Sequence, residues 1–214
     1  MTTTAVVNPE ASSGISIGYS VGSISEWLRR VTVCIHGPRG TRGSGVIWQD
    51  GLIVTNAHVA VGKMHTVEFF DGRKAQGRLV ARDPSVDLAA IAIEAAGLAV
   101  ASIRSARELR AGEVVIAVGN PWDGEGAVSA GIVHRAAGTQ PVIFADIRLA
   151  PGNSGGPLAD ARGHVVGVNS AIFQGLGCAV TSDAVKEFLK GAGVSEGLDP
   201  RTGLVEVGDC ARRA

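Results

Sequence analysis

Aromatic side chains are scarce: Phe, Trp and Tyr make up 4% of the 214 residues. The core must therefore be filled by Val, Ile, Leu and Ala. Cysteine is scarce as well. Cys34, Cys178 and Cys210 are odd in number, and no two have a zinc-ligand spacing. Cys34 and Cys178 lie inside apolar runs and read as small, reduced core residues. No apolar run is long enough to span a membrane, and the first twenty residues show neither a basic n-region nor a continuous apolar h-region. The expected compartment is the cytoplasm, unless an export segment lies outside this chain. A dominant charge is absent too, because 20 basic residues balance 20 acidic ones. No global positive field gathers nucleic acid or an anionic membrane, and no like-charge run is long enough to act as a tail.

Long amphipathic helices between strands are also missing, which excludes parallel βαβ units. Short β-rich or apolar runs stand in their place, from "VTVCI", "GSGVIW" and "LIVTNAHV" to "DLAAIAI", punctuated by Gly, Asp and Pro. This is the texture of an all-β sandwich or barrel. A polar stretch from Arg104 interrupts it, and the texture resumes with "VVIAVGNP", "GAVSAGIVHRA", "VIFADIRLA" and "HVVGVNSAIF". The expected organisation is a flexible lead-in over 1–23, in front of a short turn of helix capped by Ser25, then a first β-unit over 24–103. A linker over 104–112, a second unit over 113–192 and a tail over 193–214 follow. "SDAVKEFLKGAG" predicts one closing helix, with Ser182 as its cap, Asp183 in its first turn and Gly191 at its end. Val185, Phe188 and Leu189 share the face that should dock on the second unit.

Three stretches can carry chemistry. "VTNAHVA" places His58 at the end of a strand-like run, where a lone histidine is usually a packing residue. "DPSVDLAAIAI" places Asp87 where an apolar strand begins, a common position for a turn carboxylate, though a buried one needs a partner such as an imidazole N–H. "APGNSGGPLAD" places Ser154 among turn-forming residues, which by itself suits a surface loop. A serine hydroxyl becomes a nucleophile only with a base in reach, a third group to orient that base, and N–H donors preorganised for an oxyanion. Gly152 and Gly155 permit the backbone bend that aims amides outward. The order His58, Asp87, Ser154 is the chymotrypsin order, distinct from those of subtilisin and the α/β-hydrolases. Asp71 and Asp83 sit in turn contexts, and His36, His65, His134 and His164 have no matching block. No histidine pair has the spacing of helix-borne metal ligands, so neither metal nor other cofactor is expected.

With these blocks in order, the chain resembles the trypsin-like serine proteases of the HtrA/Deg subgroup over roughly residues 24–192. "GSGVIW", "AVGNPW", "VVGVNSAIF" and "GCAVTSDAVKEFL" are similar to further family segments. The resemblance implies two perpendicular six-stranded β-barrels with the triad in the cleft between them. It implies Ser154 as nucleophile, His58 as general base and then acid, and Asp87 as the group that orients the imidazole. Backbone N–H groups of Gly152 and Ser154, with Asn153 between, would form the oxyanion hole. Leu149 and Phe173 would shape the S1 pocket, and Asn169, Ser170 and Ala171 would pair substrate as an added strand. An apolar lining favours a small or medium apolar P1 residue; Arg148 departs from the family's usual small residue and, if it pointed inward, would suit an acidic P1.

Asn153 stands where digestive relatives carry an aspartate that pairs with a cut N-terminus. A neutral amide cannot form that ion pair, so activity is expected to depend instead on the ordering of residues 150–152. The tail after residue 192 is too short for the PDZ domain that often follows in the family. Tyr19 and Trp27 leave both a monomer and a homotrimer open. The expected activity is serine endopeptidase action, through an acyl-enzyme, on unfolded or flexible polypeptides. The alternatives are a latent protease-like peptide-binding module and an esterase built on the same constellation.

Overall fold

The computed structural model describes residues 13–37, 40–95, 97–120, 126–138 and 140–194. β1 (Thr32–His36), β2 (Arg42–Gln49), β3 (Leu52–Thr55), β4 (Met64–Glu68), β5 (Lys74–Asp83) and β6 (Leu88–Ile93) close one antiparallel barrel in the order β1-β2-β3-β6-β5-β4. β7 (Val114–Gly119), β8 (Ala127–Arg135), β9 (Val142–Asp146), β10 (Pro157–Asp160), β11 (Val165–Phe173) and β12 (Leu176–Thr181) close a second in the order β7-β8-β9-β12-β11-β10. Counted within each half, the two orders are the same. The repeat between the halves is therefore topological. Closure leaves no free sheet edge in either barrel.

The strands that read as unbroken apolar runs are buried on both faces, and their two-residue period sorts side chains between two cores. In β6, Ala89, Ile91 and Ile93 point into the first barrel, while Leu88 and Ala90 face the second. In β7, Val115 and Ala117 fill the second barrel, while Ile116 and Val118 face the first. The shared layer also takes Val46, Trp48 and Val54 from the first barrel and Val165, Val168 and Val180 from the second. Both helices dock on it: α1 (Ser13–Arg30) through Leu28, and α2 (Ser182–Gly191) through Val185 and Leu189, with Phe188 packed alongside.

Two details at the helices differ from the sequence reading. The lead-in is helical from Ser13, so Ser25 lies inside α1 and its hydroxyl bonds back to the Val21 carbonyl at 2.7 Å rather than capping a terminus. At α2 the cap is Thr181, whose hydroxyl accepts from the Ala184 N–H. The Ser182 hydroxyl is engaged elsewhere, donating to the Arg104 carbonyl at 2.6 Å and accepting from the Ala106 N–H. Helix α2 ends at Gly191, with Ala192 as its C-cap.

The connection between barrels is fastened along its length. Ala101 N–H donates to Ile47 of β2, Ile103 bridges to Val165 of β11, and a 3-10 turn over Ala106–Glu108 follows. Arg104 holds Glu113 and Asp160 at 3.1 Å each, and the Asp160 side chain is only 5% exposed. Burial works to raise the Asp160 carboxyl. The N–H groups of His164 and Arg162 and the Arg104 guanidinium outweigh it and hold the group below the usual carboxylate range. Cys34 and Cys178 are free thiols, each pushed up by burial, and Cys210 lies outside the described residues.

Arg104→Met takes the guanidinium from a buried carboxylate and leaves it the Arg162 and His164 N–H groups and the His164 ring at 3.4 Å. It is expected to cost about 3 kcal/mol in urea denaturation at neutral pH. The loss shrinks as pH falls through the folded pKa of Asp160, because a depressed carboxylate stabilises only while ionised.

Candidate active site

The antiparallel pairing of β3 with β6 matches Thr55 with Ala89. Continued past the strand ends, that register brings the residues after Thr55 beside those before Leu88, so His58 and Asp87 meet at one end of the ladder. His58 Nδ1 lies 2.9 Å from Asp87 Oδ2 and 3.0 Å from Oδ1, and the His58 backbone N–H donates to Oδ1 at 3.1 Å. A carboxylate only accepts, so Nδ1 carries a proton, and in the neutral ring Nε2 is the acceptor. Asp87 has φ of 53°, a left-handed backbone that aspartate tolerates better than most residues. The Asn56 amide holds its carbonyl at 3.0 Å.

Ser154 comes from the other barrel, on the loop between β9 and β10. The link between the halves of the site is Ser170 on β11. A register shift between Asn169 and Ala171 takes Ser170 out of the regular ladder with β12. Its hydroxyl donates to Asp87 Oδ2 at 2.6 Å, and its carbonyl accepts the Ser154 hydroxyl at 3.1 Å. The Ser154 hydroxyl thus donates to Ser170 rather than to His58. The sequence reading placed Ser170 on the substrate strand but missed its bond to Asp87; a small hydroxyl residue inside an otherwise apolar strand is the only signal it leaves.

The loop before Ser154 is a β-turn over residues 150–153, closed by Asn153 N–H to the Ala150 carbonyl at 3.0 Å. Gly152 has φ of 102° at its third position, which makes it a type II turn. Among the described residues, the N–H groups of Gly152 and Ser154 have no protein acceptor, whereas that of Asn153 is spent inside the turn. Gly155, at φ of 87°, lies so close to the Ser44 carbonyl and the Thr55 hydroxyl that any side chain would displace them.

Beside this turn is a cavity of about 200 Å³, lined by Leu149, Pro151, Asn153, Ser154, Asn169, Ser170, Ala171 and Ile172, with Ala150 completing it. Phe173 is not among the lining residues; its ring meets Phe144 edge-on at 6.3 Å. Ile172 lines the cavity in its place. Arg148 is exposed and does not line the cavity either. Of the two aromatic candidates for an interface, Trp27 is 41% exposed on α1, and the Tyr19 side chain lies outside the described residues.

Most of the other candidate carboxylates and histidines are engaged elsewhere. Asp71 binds Arg73, Asp83 binds Ser85, His36 pairs with Glu68, and His164 lies beside Asp160. His65 is buried, with its ring against the Gly62 carbonyl, and His134 is exposed on β8. Among the described residues no group of three His, Cys, Asp or Glu gathers as metal ligands, and no helix is long and apolar enough to cross a membrane.

The geometry shifts both groups of the pair. The hydrogen bond to Asp87 lifts the His58 imidazole above its ordinary value near 6.5, against the pull of burial. Burial works to raise the Asp87 carboxyl, but the His58 ring, the Ser170 hydroxyl and the His58 N–H outweigh it and hold the group low.

The family model for the trypsin-like peptidase domain matches residues 43–168, more than half of the chain. The mitochondrial serine protease HTRA2 of Drosophila pseudoobscura pseudoobscura is 38% identical over 71% of this chain and 39% of its own length. A probable periplasmic serine endoprotease, DegP-like, of Chlamydia trachomatis is 38% identical over 64% of this chain and 29% of its own. Among solved structures, an HtrA-type protease, AlgW, with a tripeptide superposes with a TM-score of 0.76 and 30% identity, over 82% of this chain and 64% of that one. The two-barrel fold with an N–H-lined turn between the barrels is the trypsin-like architecture. The chain belongs to the trypsin-like serine peptidase family, in its HtrA-type branch. It spans 29% and 31% of the length of two DegP-like relatives.

In an NMR titration the His58 ring is expected to titrate above about 6.5. Asp87→Asn should bring it down, because the bond that raised it is lost. The sign for stability follows: the pair stabilises the fold fully below the unfolded histidine pKa, and that gain fades as pH rises through the folded one.

Proposed function

We propose that this chain is a serine endopeptidase that cleaves unfolded or flexible polypeptides, with Ser154 as nucleophile, His58 as base and Asp87 as the group orienting it. The observation that carries the reading is the Ser170 link, which ties Ser154 of one barrel to the His58–Asp87 pair of the other.

An extended substrate laid along Asn169–Ala171 competes for the Ser170 carbonyl, as strand addition requires. The Ser154 hydroxyl, released by a single-bond rotation, turns to His58 Nε2. Its oxygen adds to the scissile carbonyl while His58 takes the proton and Asp87 stabilises the imidazolium through Nδ1–H. The negative charge on the former carbonyl oxygen falls to the N–H groups of Gly152 and Ser154. The C–N bond breaks as His58 returns the proton to the leaving amine, and water, activated by the same imidazole, releases the acyl group from Ser154.

The lining supplied by Leu149 and Ile172 supports a small or medium apolar P1 residue, and the exposed position of Arg148 speaks against an acidic one. The neutral Asn153, with its N–H closed onto Ala150, supports activity without insertion of a new N-terminus.

A fluorophosphonate probe is expected to label Ser154 in the wild type and leave Ser154→Ala unlabelled, and a peptide library to be cut after Val, Ala, Ile or Leu. Wild-type protein that stays folded and unlabelled would sink the hydrolase reading in favour of a peptide-holding module. The acid limb of kcat/KM should lie above about pH 6.5, since only neutral His58 accepts the proton. Asp87→Asn should lower kcat by about ten-thousand-fold.

A further inference from the structure

We propose that Ser44, through its side-chain hydroxyl, is a positioning residue for the oxyanion-binding turn. This rests on the assignment of the Gly152 and Ser154 N–H groups to that role. Ser44 lies on β2 of the first barrel, is fully buried, and reaches across the seam to both arms of the turn. Its N–H donates to the Ser154 carbonyl at 2.8 Å, and its hydroxyl donates to the Gly152 carbonyl at 2.7 Å.

The direction of the second bond is fixed by a third. The Asn120 N–H donates to Ser44 Oγ at 2.9 Å, so the hydroxyl proton is left for Gly152. Asn120 is itself held, because its side-chain oxygen accepts from the Gly126 N–H, and the Gly126 carbonyl accepts from Arg29 Nε of α1 at 2.8 Å. The Ser44 carbonyl is occupied as well, by the Thr55 hydroxyl at 2.6 Å. Every polar group of Ser44 is thus engaged.

The consequence concerns one peptide plane. The unit joining Gly152 to Asn153 is gripped at both ends: its oxygen by Ser44 Oγ and its N–H by the Ala150 carbonyl. The Ser154 arm is gripped separately by the backbone of the same Ser44. One residue therefore sets the separation and tilt of the two segments that carry the oxyanion donors. Loss of the hydroxyl frees the Gly152 arm alone and leaves the Ser154 arm in place. A donor misaligned in this way weakens transition-state binding while leaving the substrate groove on β11 untouched.

The test compares wild type, Ser44→Ala and Ser44→Cys on one peptide substrate, well below the melting temperature of each. For Ser44→Ala, kcat should fall roughly 10- to 100-fold, with KM within about twofold. Affinity for a peptide boronic acid, which places an oxygen in the oxyanion position, should fall by the same factor. Binding of an uncleaved peptide, measured on a Ser154→Ala background with and without Ser44→Ala, should not change. Ser44→Cys, whose thiol is a weak donor of similar shape, should show the same split in smaller measure, and it carries the test if the alanine variant does not fold. If kcat survives Ser44→Ala, or if uncleaved-peptide affinity drops in step with kcat, the proposal is overturned while the endopeptidase reading stands. A wild type that neither labels with fluorophosphonate nor cleaves overturns both.

Discussion

Everything in the site depends on the apolar layer that the two barrels share. His58 and Asp87 stand on one barrel and Ser154 on the other, and no local interaction fixes their relative position. The strands on either side of the seam send alternate side chains into their own barrel and into the common layer. Displacing one barrel against the other would expose Val46, Val54, Ile116 and Val118 together, at a cost set by the apolar area returned to water. Both helices lock the same layer from outside through Leu28, Val185 and Leu189.

On that rigid base a small number of hydrogen bonds cross the seam and give the site its detail. Ser170 joins Asp87 to Ser154, and Ser44 joins β2 to the turn before Ser154. The two that cross from barrel to barrel, Ser170 to Asp87 and Ser44 to Gly152, are 2.6 and 2.7 Å long and part-buried, so an unpaired partner is costly. The polar groups of the turn are divided by the same logic. The Asn153 N–H and the Gly152 carbonyl are consumed by the protein, while the flanking N–H groups of Gly152 and Ser154 have no protein acceptor among the described residues.

Much of the architecture was legible in the chain. The β-texture, the break near Arg104, the amphipathic face of α2 and the three motif blocks are all local patterns, and local patterns survive in a sequence. The cap of α2 was misplaced by one residue because Thr181 and Ser182 can both cap, and serine is ordinarily the better of the two. The choice fell to Thr181 only because the linker takes the Ser182 hydroxyl. The extent of α1 was missed because its first turns set apolar residues at alternate positions among Gly and Ser, a spacing and composition that do not read as helix. Phe173 was expected in the cavity and Ile172 stands there, since the register shift on β11 changes which side each residue faces.

The sequence by itself determined the residue types of the site, their order along the chain, and the glycines that allow the turn before Ser154. These are properties of neighbouring residues and of backbone freedom. Only the tertiary structure decided that Ser170 bridges Ser154 and Asp87, that Ser44 reaches both arms of the turn before Ser154, and that Arg104 serves a buried Asp160. Those pairs are separated by 83, 108 and 56 positions respectively. At such distances no periodicity or motif couples one residue to the other: the first two pairings arise when two closed barrels pack face to face, and the third when the connection between them folds onto β10.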